Sequence, residues 1–77
     1  MTIKISPAAT KAEIATWTRG EFARNARPLD PRLGDDAVVS ALVLYLVKAG
    51  DIVTAMQVTA QAGTKELAQA MCRMLAA

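Results

Sequence analysis

The longest apolar run in the chain is Ala37-Val38-Val39-Ser40-Ala41-Leu42-Val43-Leu44-Tyr45-Leu46-Val47, bracketed by Asp35-Asp36 before it and Lys48 after it. Projected at about 100° per residue, Val38, Val39, Ala41, Leu42, Tyr45 and Leu46 share one side, while Val43, Leu44 and Val47 cover much of the other. A helix that is apolar on two sides needs cover all round, so the pattern predicts a central buried helix over 35–49. Asp35 or Asp36 is expected to cap it, with negative charge suiting the N-terminal end of the helix dipole, and Lys48 and Gly50 to end it.

The other elements follow from spacing and punctuation. Thr2 to Ser6 alternates polar and apolar as a short strand would, and Pro7 stops it, so 1–9 reads as a short extended arm. Thr10-Lys11-Ala12-Glu13 has the capping-box spacing, in which hydroxyl and carboxylate satisfy each other's backbone amides, and predicts a helix over 10–25. Ile14, Trp17, Thr18 and Phe22 fall on one side of that helix, although Glu21 intrudes and Gly20 costs up to about 1 kcal/mol relative to alanine. Pro28, Pro31 and Gly34 make 26–34 a connector, long enough for the first helix to cross its neighbours. Asp51 caps a third helix over 51–62, with Ile52, Ala55, Met56 and Val58 or Thr59 spaced for burial and Gly63 closing it. Thr64 caps a fourth over 64–76, with Leu67, Ala70, Met71, Met74 and Leu75 on its apolar side and Lys65, Gln69 and Arg73 four apart on the other. The expected fold is all-α: a single domain, a small bundle of about four helices behind a short N-terminal extended arm.

Size and composition then bear on partners. The chain has 77 residues, of which 53% are hydrophobic, with a mean hydropathy of +0.26. A domain of this length buries only about 60% of its unfolded surface and is marginal without staples or a partner. A lone cysteine, Cys72, cannot close an intrachain bridge, so self-association is the expected outlet, with Val43, Leu44 and Val47 as the oligomer interface. The central run is about half the length of about 20 residues that a membrane helix needs. The N-terminus lacks a long apolar secretory region, and a free thiol suits a reducing compartment, so the expectation is a cytoplasmic protein with no membrane partner.

Charge is mildly basic, nine Lys+Arg against seven Asp+Glu, and unevenly placed. Up to Gly34 the chain carries Lys4, Lys11, Arg19, Arg24, Arg27 and Arg32 against Glu13, Glu21 and Asp30; after it, acids slightly outnumber bases. The asymmetry is modest; it suits an acidic or nucleic-acid partner, but an ordinary solvated surface is the preferred reading. Enzyme chemistry is not expected. The chain has no histidine and one cysteine, which leaves neither a metal-ligand set nor a nucleophile with its base. Cys72, between Met71 and Arg73, reads as a core residue rather than a reactive thiol. Adjacent Asp35 and Asp36 point in different directions on a helix, and no glycine-rich phosphate loop is present. No catalytic residue, metal or cofactor is therefore assigned.

The stretch Leu46-Val47-Lys48-Ala49-Gly50-Asp51-Ile52-Val53-Thr54-Ala55-Met56, followed by Ala62, resembles one tetratricopeptide-type helical hairpin. In that family a Gly-Asp turn joins two helices, with small residues about five and about twelve positions beyond the glycine; Gly50, Ala55 and Ala62 match. Val43 and Leu67 stand where the family has a small residue and a proline, and one unit of about 34 residues covers less than half the chain. The resemblance implies a protein-docking hairpin. Two further patterns point to DNA. Val58 to Lys65 followed by Leu67 looks like a helix-turn-helix with Gly63 in the turn and Lys65, Gln69 and Arg73 outward, although Gln69 holds a position that motif fills with an apolar residue. Thr2, Lys4 and Ser6 on an alternating arm before a helix resemble the start of a ribbon-helix-helix domain, with the register of Ile14 and Trp17 displaced, a long connector, and Asp35-Asp36 repelling phosphate. The sequence reading is thus a self-associating protein-interaction module, an adaptor, chaperone or inhibitor, whose partners are itself and another protein. The alternative is a dimeric DNA-binding regulator contacting nucleic acid through Thr2, Lys4 and Ser6 or through Lys65, Gln69 and Arg73.

Overall fold

Thr10 starts the first helix with a complete capping box: its hydroxyl accepts from the Glu13 N–H at 3.2 Å, and the Glu13 carboxylate accepts from the Thr10 N–H at 3.2 Å. Two of the four orphan amides at the helix start are satisfied locally, as the spacing anticipates. The computed structural model describes residues 5–76, apart from the side chains of Met71, Met74 and Leu75. Its helices are α1 (Lys11–Arg24), α2 (Asp35–Lys48), α3 (Ile52–Ala62) and α4 (Lys65–Ala76). They form a small all-α bundle measuring 32 × 24 × 22 Å.

The core is built around α2. Val38, Val39, Leu42, Val43 and Leu46 are buried, enclosed by Ile14 and Ala15 of α1 and by Ala55, Val58 and Ala62 of α3. Helix α2 packs against both α1 and α3, while α4 meets the rest mainly through α3, with Leu67 against the core. Among the described residues Thr18 is the buried polar one; its hydroxyl donates to the Ile14 carbonyl at 2.7 Å, so it enters the apolar interior without an unmet hydrogen bond.

Several sequence expectations change. Neither Asp35 nor Asp36 caps α2: the N-cap is Gly34, which has no side chain to do so, and the two acids occupy the first turn. There they keep their favourable place at the dipole but turn outward to cations of α1. Val43 is not surface for a partner. It is 0% exposed inside the bundle, and Val47 packs on the core beside it, whereas Leu44 stays 43% exposed. Cover from α1 on one flank and α3 on the other removes most of the surplus apolar side that the sequence suggests. Cys72, expected in the core, is exposed.

The ends of α1 and α2 share one construction. The Asp51 N–H donates to the Leu46 carbonyl at 2.9 Å and the Gly50 N–H to Val47 at 3.1 Å, with Gly50 at φ +84°. After α1, Arg27 N–H donates to Phe22 at 2.9 Å and Ala26 N–H to Ala23 at 3.2 Å, with Ala26 at φ +57°. Both are Schellman closures, but the second places an alanine in the left-handed position that glycine usually fills. The caps of α3 and α4 follow the sequence: the Asp51 carboxylate accepts from Thr54 N–H, and the Thr64 hydroxyl from Leu67 N–H.

The expected N-terminal strand falls partly on Thr2 and Lys4, which lie outside the described residues. Residues 5–10 form no strand but a turn docked on α3. Gln57 Nε2 donates to the Ile5 carbonyl at 2.8 Å, and Gln61 Nε2 to the carbonyls of Ser6 at 2.8 Å and Ala9 at 3.3 Å. Two side-chain amides thereby replace the strand partners that an isolated extended segment lacks.

Candidate functional site

The cations of the front half are largely engaged at home. Lys11 Nζ sits 2.9 Å from Asp36, Arg19 Nη2 lies 3.0 Å from Asp35, Arg32 Nη2 is 3.0 Å from Asp30, and Arg24 pairs with Glu21. The hydrogen bond and charge of Asp36 hold the Lys11 ammonium above its ordinary value, and the Arg32 guanidinium and backbone N–H hold the Asp30 carboxyl below its own. These acids answer the excess positive charge that could otherwise attract phosphate.

Arg27 is different. It is exposed, and among the described residues no carboxylate or carbonyl pairs with its guanidinium. It borders a half-open cleft of about 330 Å³ with Phe22, Asn25 and Tyr45. Phe22 and Tyr45 meet edge to face, ring centroids 5.7 Å apart, and give the cleft two aromatic walls from α1 and α2. Asn25 Nδ2 donates to the Glu21 carbonyl at 2.7 Å, which helps neutralise the carbonyl end of α1. The Schellman closure at Ala26 turns the chain so that Asn25 and Arg27 both line the opening. Sequence reasoning missed this site. Phe22 and Tyr45 are apolar positions of separate helices, and nothing local marks Ala26 as left-handed, since Asn25 beside it is the better candidate for that conformation.

Of the residues singled out from the sequence, Lys65, Gln69 and Arg73 are all exposed on α4, and Ser6 is exposed in the docked turn, its carbonyl held by Gln61. Thr2 and Lys4 lie outside the described residues. Val43 and Val47 are drawn into the bundle, leaving Leu44 as the accessible member of that trio. Instead, large apolar exposure gathers on α3, where Val53 is 79% and Met56 54% exposed and Ala60 is exposed one turn further on. The smaller Trp17 side of α1 borders a second cleft of about 290 Å³ under the docked turn, with Ile5, Ala9 and Ile14.

Among the described residues no three His, Cys, Asp or Glu side chains are placed to share a metal ion, and no helix is long and apolar enough to cross a membrane. The α2–α3 hairpin does place Ala55 and Ala62 in the core, where small side chains admit close helix packing. Comparison with protein-family models, with curated proteins and with solved structures finds no match to this chain.

Proposed function

We propose that this protein is a non-catalytic docking module that pairs with a second copy of itself through the outer face of α3 and offers its remaining surface to another protein. The observation that supports the reading is the row Val53, Met56 and Ala60, exposed at i, i+3 and i+7 on a helix without a single charged residue. That spacing forms one apolar stripe, the pattern by which helices seat against each other. A charge-free helix meets its own copy without like-charge repulsion, and the contact is self-complementary about a twofold axis. Burying a side chain such as Met56 is worth about 1.5–3 kcal/mol, and symmetry counts each one twice.

The test is analytical ultracentrifugation of the wild type beside a Val53→Lys/Met56→Lys double variant. The wild type is expected to dimerise and the variant to sediment as a helical monomer, because both positions are already exposed and their replacement does not touch the core. A wild type that stays monomeric at the highest concentration it tolerates overturns the proposal.

A second reading, DNA binding through α4, keeps one favouring observation: Lys65, Gln69 and Arg73 are exposed in register after the Gly63 turn. Against it stands Glu66, exposed on the same first turn, and the intramolecular pairing of Lys11, Arg19, Arg24 and Arg32. A gel-shift series with wild type, Lys4→Ala and Lys65→Ala/Arg73→Ala across rising salt separates the readings. Weak, sequence-independent binding at most is expected; tight selective shifts that fall steeply with salt and vanish in the double variant would favour the regulator.

A further inference from the structure

We infer that the cleft between the C-terminal end of α1 and the second half of α2 binds a small aromatic carboxylate. This site is separate from the α3 stripe and does not depend on pairing. Its walls are Phe22 and Tyr45, two rings in edge-to-face contact that both line the cleft. Its rim holds the Arg27 guanidinium, which has no anionic partner among the described residues, and the Asn25 side chain. A planar fork of donors beside aromatic faces matches a ligand with a ring at one end and a carboxylate at the other.

Size agrees with that ligand. An apolar cavity of about 150 Å³ admits benzene, so about 330 Å³ takes a ring with a short acid side chain and stands at the lower end of ordinary small-molecule sites. The Tyr45 hydroxyl has no partner among the described residues and adds a second donor for the carboxylate.

The backbone supplies an independent observation. Ala26, between Asn25 and Arg27, is the described non-glycine residue at positive φ. A non-glycine residue in that region is strained, and such strain collects where a fold positions ligand-binding groups. Here the left-handed step directs the chain back over Phe22 through the Arg27–Phe22 backbone hydrogen bond, which places Arg27 at the mouth of the aromatic cleft.

The experiment is a titration of the uniformly ¹⁵N-labelled full chain with 3-phenylpropionate and, separately, with the neutral 3-phenylpropanamide, read by amide chemical shifts. Saturable shifts centred on Phe22, Asn25, Ala26, Arg27 and Tyr45 are expected, with the acid binding about tenfold more tightly than the amide. Arg27→Gln should abolish that preference and Arg27→Lys should restore part of it; because Arg27 is exposed, both variants should keep the wild-type spectrum elsewhere. Shifts absent from the cleft, equal affinity for acid and amide, or a preference that survives Arg27→Gln would each overturn the assignment.

Discussion

Arg19 and Asp35 join α1 to the first turn of α2: the Arg19 Nη2 atom lies 3.0 Å from Asp35 Oδ1 and also donates to the Leu33 carbonyl at 3.1 Å. One guanidinium group thus ties together α1, the connector and α2 at the end where Gly34 supplies no side-chain cap. Both side chains remain a little over a third exposed, so screening keeps the pair modest. A double-mutant cycle on Arg19→Ala and Asp35→Ala, followed by urea unfolding, should give a coupling of about 0.5–1 kcal/mol that shrinks with salt. Strict additivity would mean the ion pair contributes nothing.

The two Schellman closures make opposite predictions for reciprocal substitutions. Ala26→Gly should stabilise the protein by up to about 1 kcal/mol by relieving a left-handed alanine, and Gly50→Ala should cost about 1 kcal/mol by creating one. An added Cβ at Gly50 meets nothing within 4 Å, so its cost is conformational rather than steric. Thermal unfolding is expected to shift by about 4–8 °C per kcal/mol in a domain this small. Changes of the same sign in the two variants would contradict the backbone assignment.

Gly63 is required for a different reason. It is extended, with φ −77°, but a Cβ there would come 2.5 Å from the Thr59 carbonyl oxygen. The α3–α4 turn cannot admit it without shifting backbone, so Gly63→Ala should lose about 1–3 kcal/mol. Gly20, in the middle of α1 with open space around it, is the control: Gly20→Ala should gain up to about 1 kcal/mol. Chemical denaturation of both variants checks the contrast.

Gln57 and Gln61 act together as a strap, since Gln57 Nε2 also donates to Gln61 Oε1 at 2.8 Å. Replacing both by alanine removes the donors to three carbonyls of the docked turn, at about 0.5–1.5 kcal/mol for each hydrogen bond lost. Amide exchange should accelerate in residues 5–9 and remain slow in α2, whose packing the change leaves alone. Uniform acceleration throughout the chain would show instead that the strap supports the whole bundle.

Two exposed ion pairs contribute to the pH response. Asp30 is lowered by Arg32, so its contribution is present above its ordinary value of 3.8 and is lost as pH falls through the depressed folded-state value. Lys11 is raised by Asp36, so its contribution is present below 10.5 and is lost as pH rises through the elevated one. Asp30→Asn should flatten the acidic limb of a urea-midpoint profile and Lys11→Met the alkaline limb, each slightly. A steeper limb in either variant would reverse the sign of the assignment.

Interactions that close within three or four residues were legible in the sequence. The Thr10–Glu13 box, the Asp51 and Thr64 caps, the breaks at Gly50 and Gly63 and the proline-bearing connector are local hydrogen-bonding and steric facts, and they place the four helices before any tertiary contact forms. Which side of each helix is covered was not local. Val43 and Leu44 are equally apolar neighbours about 100° apart on α2, and only the positions taken by α1 and α3 bury the first and expose the second. The same holds for Asp35 and Asp36, whose acid groups suit a cap until Arg19 and Lys11 come within reach, and for Gln57 and Gln61, polar on any projection until the turn at 5–9 docks on them. The cleft is the clearest case: Phe22 and Tyr45 belong to different helices, so their ring contact and the Arg27 beside it come together only once α1 has packed on α2 and the chain has reversed at Ala26.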